Sequence, residues 1–177
     1  LVMLRTTTRV NHQSAAVKTG KVERTSFSRK NWQDVKASYY TLSATARRLK
    51  EEALEKLEKI KEDFESNPFN ELFEGEGNFG IITNGVSYLH TLEATKILGI
   101  NPHILKLGTL YPLPTKLISN FLKNLEKVII IEELLPYIED QIVGSSKKAN
   151  QSIEIIGKNS KHLPMVGEYN TSILVDV

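Results

Sequence analysis

The sequence predicts an α/β domain, a largely parallel sheet with helices covering both faces. Three observations carry this. Lys127 to Ile131, KVIII, sets four β-branched apolar residues in a row with nothing polar among them, so both faces of that segment must be covered, as in an interior parallel strand. Glu132 and Glu133 follow at once and Pro136 opens the next helix, so the segment ends where open α/β sheets place their loops and ligand contacts. Strand-like and helix-like stretches alternate on either side at a spacing that implies right-handed βαβ crossovers.

Length and composition bound the class. At 177 residues, with 40% hydrophobic and 25% charged, the chain suits one globular domain plus an extension. Such a chain buries roughly 70% of its unfolded surface. The 23 basic and 21 acidic residues leave a formal charge of +2, which provides no field to recruit nucleic acid or a membrane. With no cysteine, the chain has no disulfide, iron-sulfur ligand or thiol nucleophile of its own, and a cytoplasmic setting is expected. No apolar run approaches the roughly 20 residues of a membrane-spanning helix. The opening LVMLRTTTR has the pattern of a strand in mid-course, so the chain is expected to be a piece of a longer protein; a processed or tag-cleaved terminus is the alternative.

Taken in order, Arg5 to Leu42 is polar with isolated aromatics and no sustained period, the pattern of a linker. Lys18, Lys21, Arg24, Arg29 and Lys30 interleave with Phe27 and Trp32, but no nucleic-acid motif accompanies them, and docking on neighbouring domains is the better account. If Trp32, Tyr39 and Tyr40 were made to dock elsewhere, the chain alone should self-associate. After Ser43 as N-cap, Ala46, Leu49, Ala53, Leu57, Ile60 and Phe64 form one apolar stripe of a long packing helix, which Ser66 to Pro68 ends. Residues 1–42 are thus expected to close a preceding domain and link it onward, 43–66 to form the helix, 67–160 the α/β domain, and 161–177 an extension toward a further domain.

Within the α/β part, Phe69 to Glu74 is a short strand and Gly75 to Asn78 a glycine-rich turn. Phe79 to Thr83 is a strand, followed by a turn at Asn84 and Gly85 and a helix from Ser87 to Leu98 with Leu89, Leu92, Ala94, Ile97 and Leu98 available to pack; Gly99 stops it. His103 to Leu107 is the next strand and Thr115 to Leu125 the next helix. After KVIII come a helix from Pro136 to about Ala149 and a strand at Ser152 to Ile156. The closing ILVDV has the composition of a short strand or of the start of another domain.

Few residues offer chemistry. Gly85, in GIITNG, is a weak candidate for an anion site at a helix N-terminus, but GxGxxG is absent and no acidic residue follows the next strand to read a ribose. His12, His90, His103 and His162 lack metal-ligand spacing. No nucleophile elbow, P-loop or zinc-helix motif is present. Glu132 and Glu133 have two readings. A buried carboxylate at the ligand edge acts as acid or base if its pKa is raised. Alternatively, one of them caps or orients the helix near Pro136, where negative charge meets the positive end of the dipole, and this structural reading is favoured.

The strings GIITNGVSYLHTLEATKILGI, LKLGTLYPLP, KVIIIEELLPYIEDQI and LPMVGEYN, in that order, resemble the alpha subunit of indolepyruvate:ferredoxin oxidoreductase, within the 2-oxoacid:ferredoxin oxidoreductases. RTTTRVNHQSAAV resembles the stretch that closes that subunit's first thiamine-enzyme domain. The resemblance implies an enzyme that decarboxylates aryl 2-oxoacids on thiamine diphosphate and magnesium, forms an acyl-coenzyme A, and passes electrons through 4Fe-4S clusters to ferredoxin, assembled with a beta subunit. It further implies that this part is a three-layer α/β/α unit like the C-terminal domain of transketolase, with a five-stranded mixed sheet and one antiparallel edge strand. Gly75, Glu76 and Gly77, with Asn101 later, are similar to the family's metal-binding GDG and distal Asn, but Glu replaces Asp and the triplet precedes its strand. No cofactor is therefore expected in this chain. Arg9 and His12, at the border with the preceding domain, are the candidate substrate-side residues, since guanidinium suits a carboxylate. The alternative function is an independent nucleotide- or anion-binding module, or a noncatalytic interaction module.

Overall fold

In the computed structural model, residues 3–21, 23, 41–150 and 152–177 are described. The chain divides into two units, Leu1–Ala46 and Arg47–Val177. In the first, the opening stretch is not a strand: Met3 to Thr7 carry no regular structure and Thr8–Asn11 form a short helix, α1. A strand needs a ladder partner, and none pairs with this stretch among the described residues. Lys18 and Lys21 are exposed, while Arg24, Phe27, Arg29, Lys30, Trp32, Tyr39 and Tyr40 fall outside the described residues.

The long helix α2, Ser43–Phe64, is looser than its stripe suggests. Leu49, Leu57 and Phe64 are half-buried, Ala53 and Ile60 are exposed, and no residue of the helix is fully buried. Its outer face is held by Arg47 to Glu51 and Arg48 to Glu52 pairs, one turn apart.

The second unit contains the α/β domain. Its strands are β1 (Glu71–Phe73), β2 (Phe79–Asn84), β3 (His103–Leu107), β4 (Lys127–Ile131) and β5 (Glu154–Ile156), in the order β1-β3-β2-β4-β5. All neighbours are parallel except β1, which runs antiparallel to β3 at the edge with Glu71 opposite Lys106. Helices α3 (Ser87–Leu98), α4 (Thr115–Leu122), α5 (Tyr137–Ala149) and α6 (Thr171–Val175) complete the fold. The expected mixed five-stranded sheet with one antiparallel edge is present.

Strand alternation divides the core in two. Ile82, Leu105, Val128 and Ile130 pack with Ile118 and Leu122 of α4 and Ile138 and Ile142 of α5. Ile81, Ile104 and Ile131 point the other way, toward Ala94 of α3, Leu174 of α6, Leu163 and Tyr169. That is why β4 has no polar side chain after Lys127 at its start: each of its faces meets a different apolar layer. Close approach also fixes two glycines. A Cβ on Gly108 would lie 2.4 Å from the Phe69 carbonyl oxygen, and one on Gly75 would lie 2.2 Å from the Pro102 carbonyl carbon.

Two further elements differ from expectation. Helix α3 turns Ser87, Thr91, Ala94 and Thr95 inward and leaves Leu89, Leu92, Ile97 and Leu98 exposed. Small residues let the helix lie close to strands already bulky with isoleucine, so the apolar periodicity marks the outer face. The closing ILV segment is helical in α6, because the Asn170 side chain accepts the Ile173 N–H at 3.1 Å and nucleates a turn that packs on α3.

Ile130 has no exposure and packs against both α4 and α5. Replacing it by alanine should lower unfolding stability by about 2–5 kcal/mol, read from denaturant melts, since deletion leaves a cavity as well as losing burial.

Candidate functional site

Because the parallel strands run the same way, the loops after β2, β3, β4 and β5 all emerge at one carboxyl edge of the sheet, where open α/β sheets bind ligands. Glu132 stands there as the first residue after β4 and is only 4% exposed. One carboxylate oxygen accepts the Ile138 N–H at 2.8 Å and the other the Glu139 N–H at 2.9 Å. These are first-turn donors of α5, which have no partner inside the helix, so Glu132 closes the N-terminus from six and seven residues away.

Glu139 continues the pattern and is 2% exposed. Its carboxylate accepts the Lys158 N–H at 2.8 Å and shares the Asn159 N–H between both oxygens at 3.2 Å. This ties α5 to the turn after β5, and a Cβ on Gly157 would lie 2.6 Å from the Glu139 carboxyl carbon, so glycine makes room for the acid. Lys158, also buried, donates its ammonium to the Pro164 carbonyl at 2.7 Å and lies 4.5 Å from the centre of the Tyr169 ring. The Tyr169 hydroxyl donates to the same carbonyl at 3.1 Å, and the Tyr169 N–H donates to Glu133 at 3.1 Å.

Three carboxylates and one ammonium thus share a poorly solvated space, and their acidities reflect it. Burial raises the Glu132 carboxyl above its ordinary 4.5; the two backbone donors pull it back, and the Glu139 carboxylate pushes it up again. Burial lowers the Lys158 ammonium, against the pull of Glu132, Glu133 and Glu139. The Tyr169 phenol is pushed up to about 12 by burial and then by the same three carboxylates.

The predicted site residues fall in both units. Glu132 and Glu133 belong to this edge. Arg9, on α1, and the exposed His12 belong to the other unit. Gly85, exposed with φ of 53°, makes the turn from β2 into α3, whose N-cap residue Val86 supplies no side-chain acceptor. Sequence reasoning missed Glu139 and Lys158. The acidic first turn of α5, with Glu139 and Asp140, was a signal for the first. Nothing in the turn GKNS marks a buried lysine.

The Gly75–Gly77 triplet does not fit a thiamine diphosphate and magnesium site. The Gly75 N–H donates to Nδ1 of His103 at 3.0 Å, Nε2 of that ring lies 3.0 Å from the Gly77 carbonyl, and the Glu76 N–H donates to the Asn101 carbonyl at 2.7 Å. The backbone that would cradle a diphosphate is occupied in clamping β1 to the start of β3, at the opposite, amino edge of the sheet. No group of three or more His, Cys, Asp or Glu able to hold a metal occurs among the described residues, and no described helix is long and apolar enough to cross a membrane.

A family model for an indolepyruvate oxidoreductase domain matches residues 73–172. The chain is 41% identical over 169 residues to indolepyruvate oxidoreductase subunit IorA of Archaeoglobus fulgidus, covering 96% of this chain and 26% of that protein. It is 39% identical over 183 residues to the IorA of Pyrococcus horikoshii, covering 99% of this chain and 28% of that one. The chain therefore spans little more than a quarter of the length of these curated relatives. Among solved structures, a 2-oxoglutarate:ferredoxin oxidoreductase from Magnetococcus marinus, with 2-oxoglutarate, coenzyme A and succinyl-CoA bound, aligns with a TM-score of 0.55 at 21% identity. The alignment covers 77% of this chain and 23% of that one, a likeness of fold.

Two outcomes test the edge. Glu139→Ala should cost about 2–6 kcal/mol in denaturant melts, because two backbone N–H groups, the buried one of Lys158 and the part-buried one of Asn159, lose their acceptor at about 1–3 kcal/mol each. For Glu132, a raised folded-state value means a contribution fully present below the unfolded value and lost as pH rises through the folded one. As pH rises from below the ordinary carboxyl value through the raised one, the wild type should lose stability relative to Glu132→Gln; a difference that stays flat with pH would contradict the raised carboxyl.

Proposed function

This chain belongs to the indolepyruvate oxidoreductase domain family, and from that premise we propose that it is a noncatalytic, interdomain unit of a longer alpha subunit. The whole enzyme would oxidatively decarboxylate aryl 2-oxoacids to acyl-coenzyme A and reduce ferredoxin, together with a beta subunit. Thiamine diphosphate, magnesium and the 4Fe-4S clusters would be held by parts outside this chain. With no cysteine, it supplies no thiolate to a cluster.

The observation that carries the reading is where the buried carboxylates point. Both oxygens of Glu132 and both of Glu139 accept backbone N–H groups of the same domain. An acid that serves substrate must reach the proton it transfers. These carboxylates are spent on joining β4, α5 and the turn after β5, which favours a positioning role over acid-base catalysis. Arg9 and His12, in the other unit, remain the proposed substrate-side residues, where a guanidinium would meet the 2-oxoacid carboxylate.

Titrating thiamine diphosphate and magnesium into this chain by calorimetry is expected to give no tight binding. A micromolar dissociation constant would overturn the assignment of the cofactor to other parts of the subunit.

A further inference from the structure

Above the buried network, the carboxyl edge shows a different chemistry. Val86 follows β2, Tyr111 follows β3, Leu134 and Leu135 follow β4, and Met165 and Val166 follow the turn after β5; their exposures run from 48% to 87%. The strings TLYPLP, EELLP and LPMVGE, far apart in sequence, are brought to one edge, and each turns apolar side chains to solvent. Leu134 and Leu135 are each 73% exposed, and Leu134 has φ of 63°, a left-handed conformation unfavourable to a bulky residue. Burial explains neither the conformation nor the residue type.

The loops are also held. Glu132 fixes the start of α5, Glu133 accepts the Tyr169 N–H, and Lys158 and Tyr169 both donate to the Pro164 carbonyl. The Tyr137 hydroxyl donates to the Leu110 carbonyl at 3.2 Å, fastening the loop after β3 to α5. An apolar surface displayed on loops already ordered by buried polar bonds has area to bury and little ordering left to lose on association.

We propose that this edge is the seat of another folded domain of the same longer polypeptide, with Leu134, Leu135 and Val166 as its anchors. The proposal rests on the reading of this chain as one part of a longer subunit. The occupant follows from proportion: this chain spans 26% and 28% of its curated relatives, and the fold occupies 23% of one solved chain. A polypeptide of the relatives' length would carry most of its residues outside this part, enough for further folded domains. A small polar ligand fits poorly, because the buried carboxylates beneath the rim are turned inward.

Met165, 48% exposed here, is a built-in reporter, since oxidation by peroxide follows its access to solvent. In the full-length subunit Met165 should oxidise on the order of tenfold more slowly than in this chain alone, resolved by peptide mass spectrometry. Leu134→Asn suits the left-handed conformation, so the chain alone should keep or raise its melting temperature, while Met165 in the full-length variant should oxidise faster than in the full-length wild type. Equal rates in the wild-type subunit and the chain alone would overturn the proposal. So would protection that appears in the chain alone and grows with concentration, which would identify a second copy as the occupant. If Met165 is unprotected in a full-length subunit that, assembled with its beta subunit, still oxidises indolepyruvate, the docking surface falls and the family function stands. A full-length subunit that protects Met165 but has no oxidoreductase activity when assembled with its beta subunit gives the reverse.

Discussion

The carboxylate of Glu132 is the constraint on which the rest of the domain depends. It connects the end of an interior strand to the beginning of the helix that covers it. From there the same device repeats in chain order, since Glu139 on that helix closes the turn after the next strand. Glu65, just after α2, does likewise for α4, accepting the Lys116 and Leu117 N–H groups at 3.0 and 2.8 Å where Pro114 offers no side-chain cap. Helix starts that would ordinarily be closed by a neighbouring Ser, Thr or Asp are closed by glutamates from other elements. At α4 and α5 capping is tertiary, so local order and packing are formed together. Removing one acid exposes two donors and also loosens two elements.

This explains what could be read in advance. The alternation of strand and helix, the covered faces of KVIII and the breaks at Asn84-Gly85, Gly99 and Pro136 are local facts, written in runs of a few residues, and they place the elements. The antiparallel β1 came from the family resemblance, because three residues, Glu71 to Phe73, carry no directional signal. The orientation of α3 was misjudged for a physical reason: periodicity says which residues share a face, and tertiary fit decides which face is inward. The closing helix was missed because Ile-Leu-Val favours strands in isolation, while a single capping Asn170 and the flank of α3 decide otherwise.

The candidate site divided along the same line. Glu132 was visible because it interrupts an apolar run. Lys158 was not, since its burial depends on Pro164 and Tyr169 arriving from a later segment with no regular structure around it. Buried ions are costly to desolvate, and geometry this complete, with Glu132 and Glu139 each held through both oxygens and the ammonium set on a carbonyl and a ring, is what offsets that cost. Polar networks of this kind need every member, which also makes them rigid.

Rigidity below and apolar exposure above belong to one design. A perturbed carboxyl at the ligand edge of a sheet ordinarily argues for catalysis, since active sites are where burial and like charges are gathered. Structural networks perturb acidity by the same physics, so the shift of Glu132 cannot decide between the readings. The direction of its oxygens favours the structural one. Facing the α5 backbone, they stabilise the platform that presents Leu134 and Leu135, and the strained backbone at Leu134 becomes intelligible as the conformation that keeps its side chain turned outward. Glu132 and Glu133 thus hold the loops that turn Leu134 and Leu135 to solvent.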